Sequence, residues 1–329
     1  MSPAIRPGRD PDAGAIIRLI GDCWAEYPGC LMDVDGELPE LRALASWFAA
    51  AGGALWVAED DVGIHGMVAT RPVPSADAWE ICRLYVAKPA RSTGLALALL
   101  DLAEGHARAA GTKALVLWTD TRFLRAHAFY EKRGYLRQGP IRVLDDISNS
   151  LEFRYAKPAC GLVAQTLDPA AAASAERSLA RLLRATGAGG NMQGIAALVA
   201  QGLRVLVVAW SDGEILGAVQ LGLAEPGAPP HRAAMTSLLL APDCDRARVA
   251  RALLGQAEAA VAARGKALIT AEWQADDAVA GTFVEQGWHP AGRIPSGLAG
   301  VGGAIVDSII FCKALASDSV ALEAPRVGR

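Results

Sequence analysis

The run Glu80-Ile81-Cys82-Arg83-Leu84-Tyr85-Val86, followed by Arg91-Ser92-Thr93-Gly94-Leu95-Ala96, holds the residue types and spacing with the most chemical content in this chain. Residues 79–86 read as a strand, and a helical pattern begins at Gly94, runs over 94–110 and stops at Gly111. A strand that feeds a small-residue turn at a helix start presents several backbone N–H groups without helical acceptors. The helix dipole adds to their pull on an anion, so the turn suits a pyrophosphate. Side chains larger than those of Gly94 and Ala96 would hold phosphates away from that backbone. Strand alternation predicts that Glu80 shares a face with Cys82, Leu84 and Val86.

Other elements must hold this turn in place. Before it, residues 4–6 predict a strand, 12–24 and 37–51 amphipathic helices, and 54–58 and 65–69 the strands of a hairpin turned by Glu59-Asp60-Asp61-Val62-Gly63. After it come a strand over 114–118, a helix over 123–133 stopped by Gly134, and a strand over 147–155. Lys157-Pro158-Ala159-Cys160-Gly161 reads as a linker. The pattern then restarts. Strands are expected over 162–164, 205–210, 215–221, 235–240, 267–272 and 305–311, and helices over 171–183, 246–263 and 278–286. A whole-domain repeat explains this most economically. The expected units are 1–157 and 162–314, joined by 158–161, with a loosely held tail over 315–329.

Length and composition agree with two globular α/β domains. The chain has 329 residues, 52% of them hydrophobic and 20% charged, which suffices for two cores. A formal net charge of −3 gives no basic excess for nucleic acid or an anionic membrane. The apolar runs are far shorter than a bilayer span and the start lacks a signal-like core, so a soluble cytosolic protein is expected. Cys23, Cys30, Cys82, Cys160, Cys244 and Cys312 form no Cys-x-x-Cys pair, so neither a disulfide frame nor a metal site is expected.

With the turn and its flanking elements in view, the first half resembles the GNAT acetyltransferase superfamily. Arg91, Gly94 and Ala96 fit its Arg/Gln-x-x-Gly-x-Gly/Ala signature. Ala126-His127-Ala128-Phe129-Tyr130-Glu131-Lys132-Arg133-Gly134-Tyr135 looks like its second cofactor element. Phe123 stands where many relatives carry an Asn. The resemblance implies two mixed, curved sheets flanked by helices, acetyl-CoA as cosubstrate and direct acetyl transfer to a primary amine of a small molecule or peptide. It implies that Arg91, Ser92, Thr93, Gly94, Leu95 and Ala96 hold the phosphates. Leu84, Tyr85 and Val86 would line the pantetheine arm, with Tyr130 beside the sulfur. It also makes Glu80 the general base and Tyr130 the general acid. The bland alternatives, a solvated strand residue for Glu80 and a packed aromatic for Tyr130, carry less weight than these roles. His65 and His127 read as structural. The acceptor is expected against the segment that carries Trp24, Tyr27, Asp33 and Asp35, whose aromatic and acidic groups would suit a cationic amine.

The second half keeps the pattern and loses the chemistry. Asp245 replaces the Arg/Gln, Arg248 the Gly, Ala234 stands at the place of Glu80 and Phe283 at that of Tyr130. The expectation is one active and one degenerate domain, in a monomer with an internal pseudo-dimer or in a homodimer. The alternative is a non-catalytic acyl-CoA-binding or regulatory module, which would need the turn but neither proton carrier.

Overall fold

Asp60 Oδ1 accepts the N–H groups of Val62 (2.8 Å) and Gly63 (3.3 Å), which closes the hairpin expected around residues 59–63. The computed structural model describes residues 3–73, 76–187, 194–223, 229–300 and 304–315, and the chain divides into units 1–161 and 162–329. In the first unit, β1 (Ala4–Pro7), β2 (Ala54–Asp60), β3 (Gly63–Val73) and β4 (Ala78–Val86) pair antiparallel in that order. β5 (Ala114–Asp120) joins β4 in parallel. β7 (Leu151–Pro158) and the edge strand β6 (Leu136–Val143) complete a seven-stranded sheet. α1 (Ala13–Trp24) and α2 (Leu44–Ala50) cover one face, burying Ile16, Ile20 and Phe48 against Val57, Met67 and Ala69. α3 (Leu95–Ala109) covers the other, with Leu95, Leu99 and Leu100 on Val68, Ile81 and Leu117. α4 (Leu124–Lys132) adds Tyr130 to that second cluster.

The second unit repeats this topology. Its sheet runs β8 (Leu162–Thr166), β9 (Arg204–Ser211), β10 (Glu214–Gly222), β11 (Arg232–Leu240), β12 (Leu268–Gln274), β14 (Ile305–Ala314), β13 (His289–Ala299). β11 and β12 are again the parallel neighbours. α5 (Pro169–Thr186), α6 (Ile195–Ala200), α7 (Arg246–Ala262) and α8 (Val279–Glu285) flank it. Two packing details recur. A Cβ on Gly66 would sit 2.9 Å from Leu99, and one on Gly217 2.8 Å from Val249, so each main helix rests on bare strand backbone. Each unit also carries one charged anchor, buried in the first and partly exposed in the second. Glu104, fully buried, accepts from Tyr135 (2.9 Å), Lys157 (2.9 Å) and Arg108 (2.8 Å), and Lys157 also reaches the Arg133 carbonyl at 3.0 Å. Glu258 accepts from Trp288 (2.7 Å) and Lys313 (2.6 Å), and Lys313 reaches the Gln286 carbonyl at 2.6 Å.

Several sequence expectations need correction. Residues 37–51 are not one helix: a 3-10 turn, Pro39–Ala43, precedes α2, because Ala43 leaves the helical region (φ −144°, ψ 50°). The last strand of the first unit begins at Leu151 rather than 147. β6, β13 and α6 were not expected, since glycines and prolines break the alternation of both strands. Residues 157–159 are no loose linker, because Lys157 and Ala159 are buried in the first unit. The expected tail lies outside the described residues beyond Leu315.

Candidate active site

β4 carries a bulge. Ala69 pairs with Cys82 but Met67 pairs with Tyr85, so Arg83 and Leu84 together face Val68. Arg83 takes the left-handed conformation (φ 52°) that absorbs the extra residue. The bulge shifts the strand's phase and corrects the expected face assignment. Cys82 and Tyr85 pack on the α1 side, while Ile81, Leu84 and Val86 pack on the α3 side. Glu80 therefore shares its side with Tyr85, not with Leu84 and Val86.

β4 and β5 are in register only at Ala78–Ala114, Trp79–Leu115 and Glu80–Val116. Beyond Glu80 the two strands part, and a cavity of about 330 Å³ opens there. Glu80 and Tyr85 line it from β4, Trp118 and Asp120 from β5, Tyr130 from α4 and Arg142 from β6. At the cofactor end, Gly94 has φ 93° and caps α3. The first helical bond is Ala98 N–H to the Gly94 carbonyl (3.0 Å), which leaves the N–H groups of Leu95, Ala96 and Leu97 without helical acceptors. Thr93 Oγ1 donates to the Ala90 carbonyl (2.8 Å) and Ser92 is left-handed (φ 64°). Arg91 is already engaged. Its guanidinium holds Glu26 at 2.5 and 2.7 Å and donates through Nε to the Val86 carbonyl at 3.0 Å. A wider cavity of about 750 Å³ borders the turn, lined by Ile5, Asp60, His65, Thr93 and Gly94.

Glu80 is flanked by its cross-strand neighbour Arg71. Both Nε (2.8 Å) and Nη2 (2.7 Å) of Arg71 go to Oε2, and Oε1 has no partner among the described residues. The Tyr130 ring packs edge-on to Tyr135 at 5.8 Å, and its hydroxyl has no hydrogen-bond partner among the described residues. Burial, reinforced by the nearby Tyr85 hydroxyl and Cys82 thiol, pushes the Tyr130 pKa well above that of an ordinary phenol. Burial likewise raises the Cys82 thiol, which removes it as a thiolate nucleophile.

Of the residues expected to meet the acceptor, Trp24 lines the cavity and donates Nε1–H to the Tyr85 hydroxyl at 3.0 Å. Tyr27 lies behind the wall, its ring 4.6 Å from that of Phe123, which does line it. Asp33 and Asp35 are not part of the lining. Asp33 accepts the N–H groups of Asp35 (3.1 Å) and Gly36 (2.8 Å), and Asp35 pairs with Arg42 (2.5 Å). His127 is structural: its Nε2 meets the Asp120 carbonyl at 2.8 Å, and burial holds its pKa below the usual value. The sequence reading missed Arg71, Trp47, Trp118, Arg142, Asp146 and Glu152, all in the lining. None carried a readable signal: Arg71 lies past the end of the expected strand 65–69, and only the observed register sets it opposite Glu80.

In the second unit β11 and β12 also part after three register pairs, but the groups at the corresponding places differ. Asp245 Oδ1 accepts the Arg248 N–H at 3.0 Å, so a carboxylate already caps α7. Arg246 pairs with Asp277 at 2.8 Å. Ala234, paired with Thr270 at the last parallel register position, takes the place of Glu80. Phe283 takes that of Tyr130, edge-on to Trp288 at 5.3 Å.

The family model for the acetyltransferase (GNAT) family matches residues 17–135 and again 189–288. Among curated proteins, the chain is 30% identical over 98 residues to probable N-acetyltransferase 14 of Xenopus tropicalis (30% of this chain, 48% of that protein). It is 32% identical over 120 residues to N-acetyltransferase 8 of Homo sapiens (35% and 51%). The chain thus spans about half the length of the curated relatives it matches. Among solved structures, a GNAT-family acetyltransferase from Staphylococcus aureus Mu50 covers 47% of this chain and 98% of its own, with a TM-score of 0.42 and 17% identity. A putative acetyltransferase from Salmonella typhimurium, solved with its cofactor acetyl-CoA, covers 49% and 97%, with a TM-score of 0.40 and 17% identity. Since the family model accounts for well over half of the 329 residues, in two passes, the chain belongs to the GNAT acetyltransferase family.

Proposed function

We propose that the first unit transfers an acetyl group from acetyl-CoA to a primary amine, and that the second unit is catalytically silent. The observation that carries the reading is the parted β4–β5 seam, with Tyr130 and Glu80 both lining it and the Gly94 turn at the start of α3. The residues present fit the cosubstrate. The free N–H groups of Leu95, Ala96 and Leu97 suit a pyrophosphate. The unpaired edge of β4 beyond Glu80 suits an extended amide-bearing arm such as pantetheine. Arg91 meets a phosphate only by releasing Glu26, so the backbone carries most of the anion binding.

Acetyl-CoA supplies a thioester whose sulfur leaves as a thiolate. Glu80 Oε1 takes the first proton from the acceptor ammonium, whose ordinary pKa near ~10 otherwise keeps it from attacking. The amine nitrogen then bonds to the acyl carbon as the C–S bond breaks. Tyr130 gives its proton to the sulfur and regains one from the nitrogen, so one proton reaches solvent by way of Glu80. The raised pKa of Tyr130 keeps it a neutral donor at physiological pH. The arginine on Oε2 fixes the Glu80 carboxylate so that the free oxygen does the work.

The test is thiol release from acetyl-CoA by the full chain across a panel of primary amines, beside direct titration of CoA. CoA binding with no amine-dependent thiol release would favour the binding-module alternative. No CoA binding would refute both.

A further inference from the structure

Four arginines and four carboxylates line the 330 Å³ cavity: Arg71, Arg83, Arg122 and Arg142 with Glu80, Asp120, Asp146 and Glu152. Three pairs close within the wall. Arg71 holds Glu80 (2.7 Å), Arg122 holds Asp120 (2.5 Å), and Arg142 holds Glu152, with Nε at 2.9 Å. Arg83 is satisfied by Glu40, outside the lining, at 2.8 Å. Among the described residues, Asp146 is the lining carboxylate with no arginine at ion-pair distance, although Arg122 acts on it from farther off; its Oδ1 accepts the Ser150 N–H at 2.8 Å. Two of the arginines are held on both sides. Arg71 lies over Trp47 at 5.4 Å and Arg142 over Trp118 at 4.0 Å, so each guanidinium is fixed between an indole face and a carboxylate. Arg142 uses Nε and Nη2 on one oxygen of Glu152, and among the described residues its Nη1 has no partner.

The lining therefore offers one spare negative charge and, at its exposed rim, one open guanidinium edge (the Arg142 side chain is 42% exposed). A diamine or longer polyamine brings more ammonium groups than there are spare carboxylates and meets four guanidiniums. A plain monoamine leaves the Arg142 edge unused. An amine that carries its own carboxylate or phosphate uses both features. Resting on the acetyltransferase reading above, we propose that the acceptor is a small zwitterion. Its ammonium is drawn in by Asp146 toward Glu80, and its anionic group is held by Nη1 of Arg142. Arg142 is then a specificity-determining residue that touches the acceptor and not the reacting atoms.

The experiment compares kcat/KM for three matched kinds of acceptor with acetyl-CoA and the full chain. These are free amino acids and aminoethyl phosphate, the corresponding amino-acid amides, and putrescine. The expected result is a preference of at least about tenfold for the anion-bearing amines over the amides, the size of one charge-assisted hydrogen bond. Putrescine should be poorest. Arg142→Gln should lower the acid-to-amide ratio about tenfold, mainly through KM, while CoA affinity is retained, and Arg142→Lys should restore part of the ratio. Amides or putrescine turned over as well as the acids would overturn the zwitterion assignment and leave the acetyltransferase reading standing. An equal loss for acids and amides in Arg142→Gln would overturn the role of Arg142. CoA binding without thiol release for any of the three kinds would instead remove the acetyltransferase reading, and this inference with it.

Discussion

The two units of this chain keep the same charged anchor and differ at the surface that the anchor supports. Glu104, Lys157 and Tyr135 in the first correspond to Glu258, Lys313 and Trp288 in the second, down to the backbone carbonyl that takes the lysine. One step outward the likeness ends. Tyr135 backs Tyr130, which has a hydroxyl facing a cavity, whereas Trp288 backs Phe283, which stacks on Phe311 at 4.7 Å in a closed core. The helix start is free at Gly94 and capped from within by Asp245. The difference teaches that the fold is held by groups distinct from those proposed to do the chemistry, so one copy can lose its site without losing its stability.

The comparison can be stressed first at the anchor. Lys157→Met removes one of the two cations on the buried Glu104 and leaves Arg108, at 2.8 Å, as the other, which should cost about 2–3 kcal/mol. Lys313→Met acts on a pair that is 23% and 16% exposed and should cost nearer ~1 kcal/mol. Urea unfolding of the two variants reads the difference, and equal losses would mean the anchors are not graded by burial. Tyr130→Phe should then lower kcat by about 10²-fold or more with little change in CoA affinity, because it removes a proton donor used only in the transition state. Phe283→Tyr should leave the rate where it was. A rate change in the second variant would show that the second unit takes part.

A smaller effect is expected at the turns. Gly94→Glu forces a side chain into a left-handed position and sets a carboxylate among the N–H groups of the α3 start, so CoA affinity should fall about 30-fold or more. Titration of the unaltered chain should give one CoA per chain, and two would break the asymmetry outright. The smallest effect concerns pH. All five tyrosines belong to the first unit, and burial raises the pKa of Tyr85, Tyr130 and Tyr135. The folded state keeps protons that the unfolded chain gives up above about pH 10, so this contribution is complete below that pH and is lost as pH rises beyond it. Lys157, whose pKa burial lowers, works in the opposite sense. Between about pH 9 and pH 11 the first unit should lose on the order of 1 kcal/mol relative to the second, read as tyrosinate absorbance that rises with unfolding.

Much of this arrangement was legible in the sequence, because it rests on local rules. Alternation marked the central strands, Gly111 and Gly134 marked helix ends, and Gly94 marked the turn. The β4 bulge was not legible. Its left-handed residue is Arg83 rather than glycine, so nothing flagged the change of phase that separates Glu80 from Leu84 and Val86. The far wall of the cavity was hidden for another reason. Arg142 and Asp146 lie in an aperiodic stretch, and only the antiparallel pairing of β6 with β7 brings them, beside Glu152, to the seam. Asp33 and Asp35 drew attention by charge alone, yet short-range turn bonds and Arg42 claim them.

The short parallel register has a consequence for backbone exchange. Three residue pairs join β4 to β5, so the amides between Ile81 and Val86 that point away from β3 have no strand to shield them. In deuterated solvent they should exchange far faster than amides of β2 and β3, whose pairing runs from Ala54 to Asp60, although both lie in one sheet. A ligand seated in the seam would slow exchange along that edge and along the facing part of β5, and would leave β11 and β12 in the second unit unchanged. The sheet thus carries a built-in line of low protection, and deuterium uptake along it reports occupancy without any need to know the acceptor.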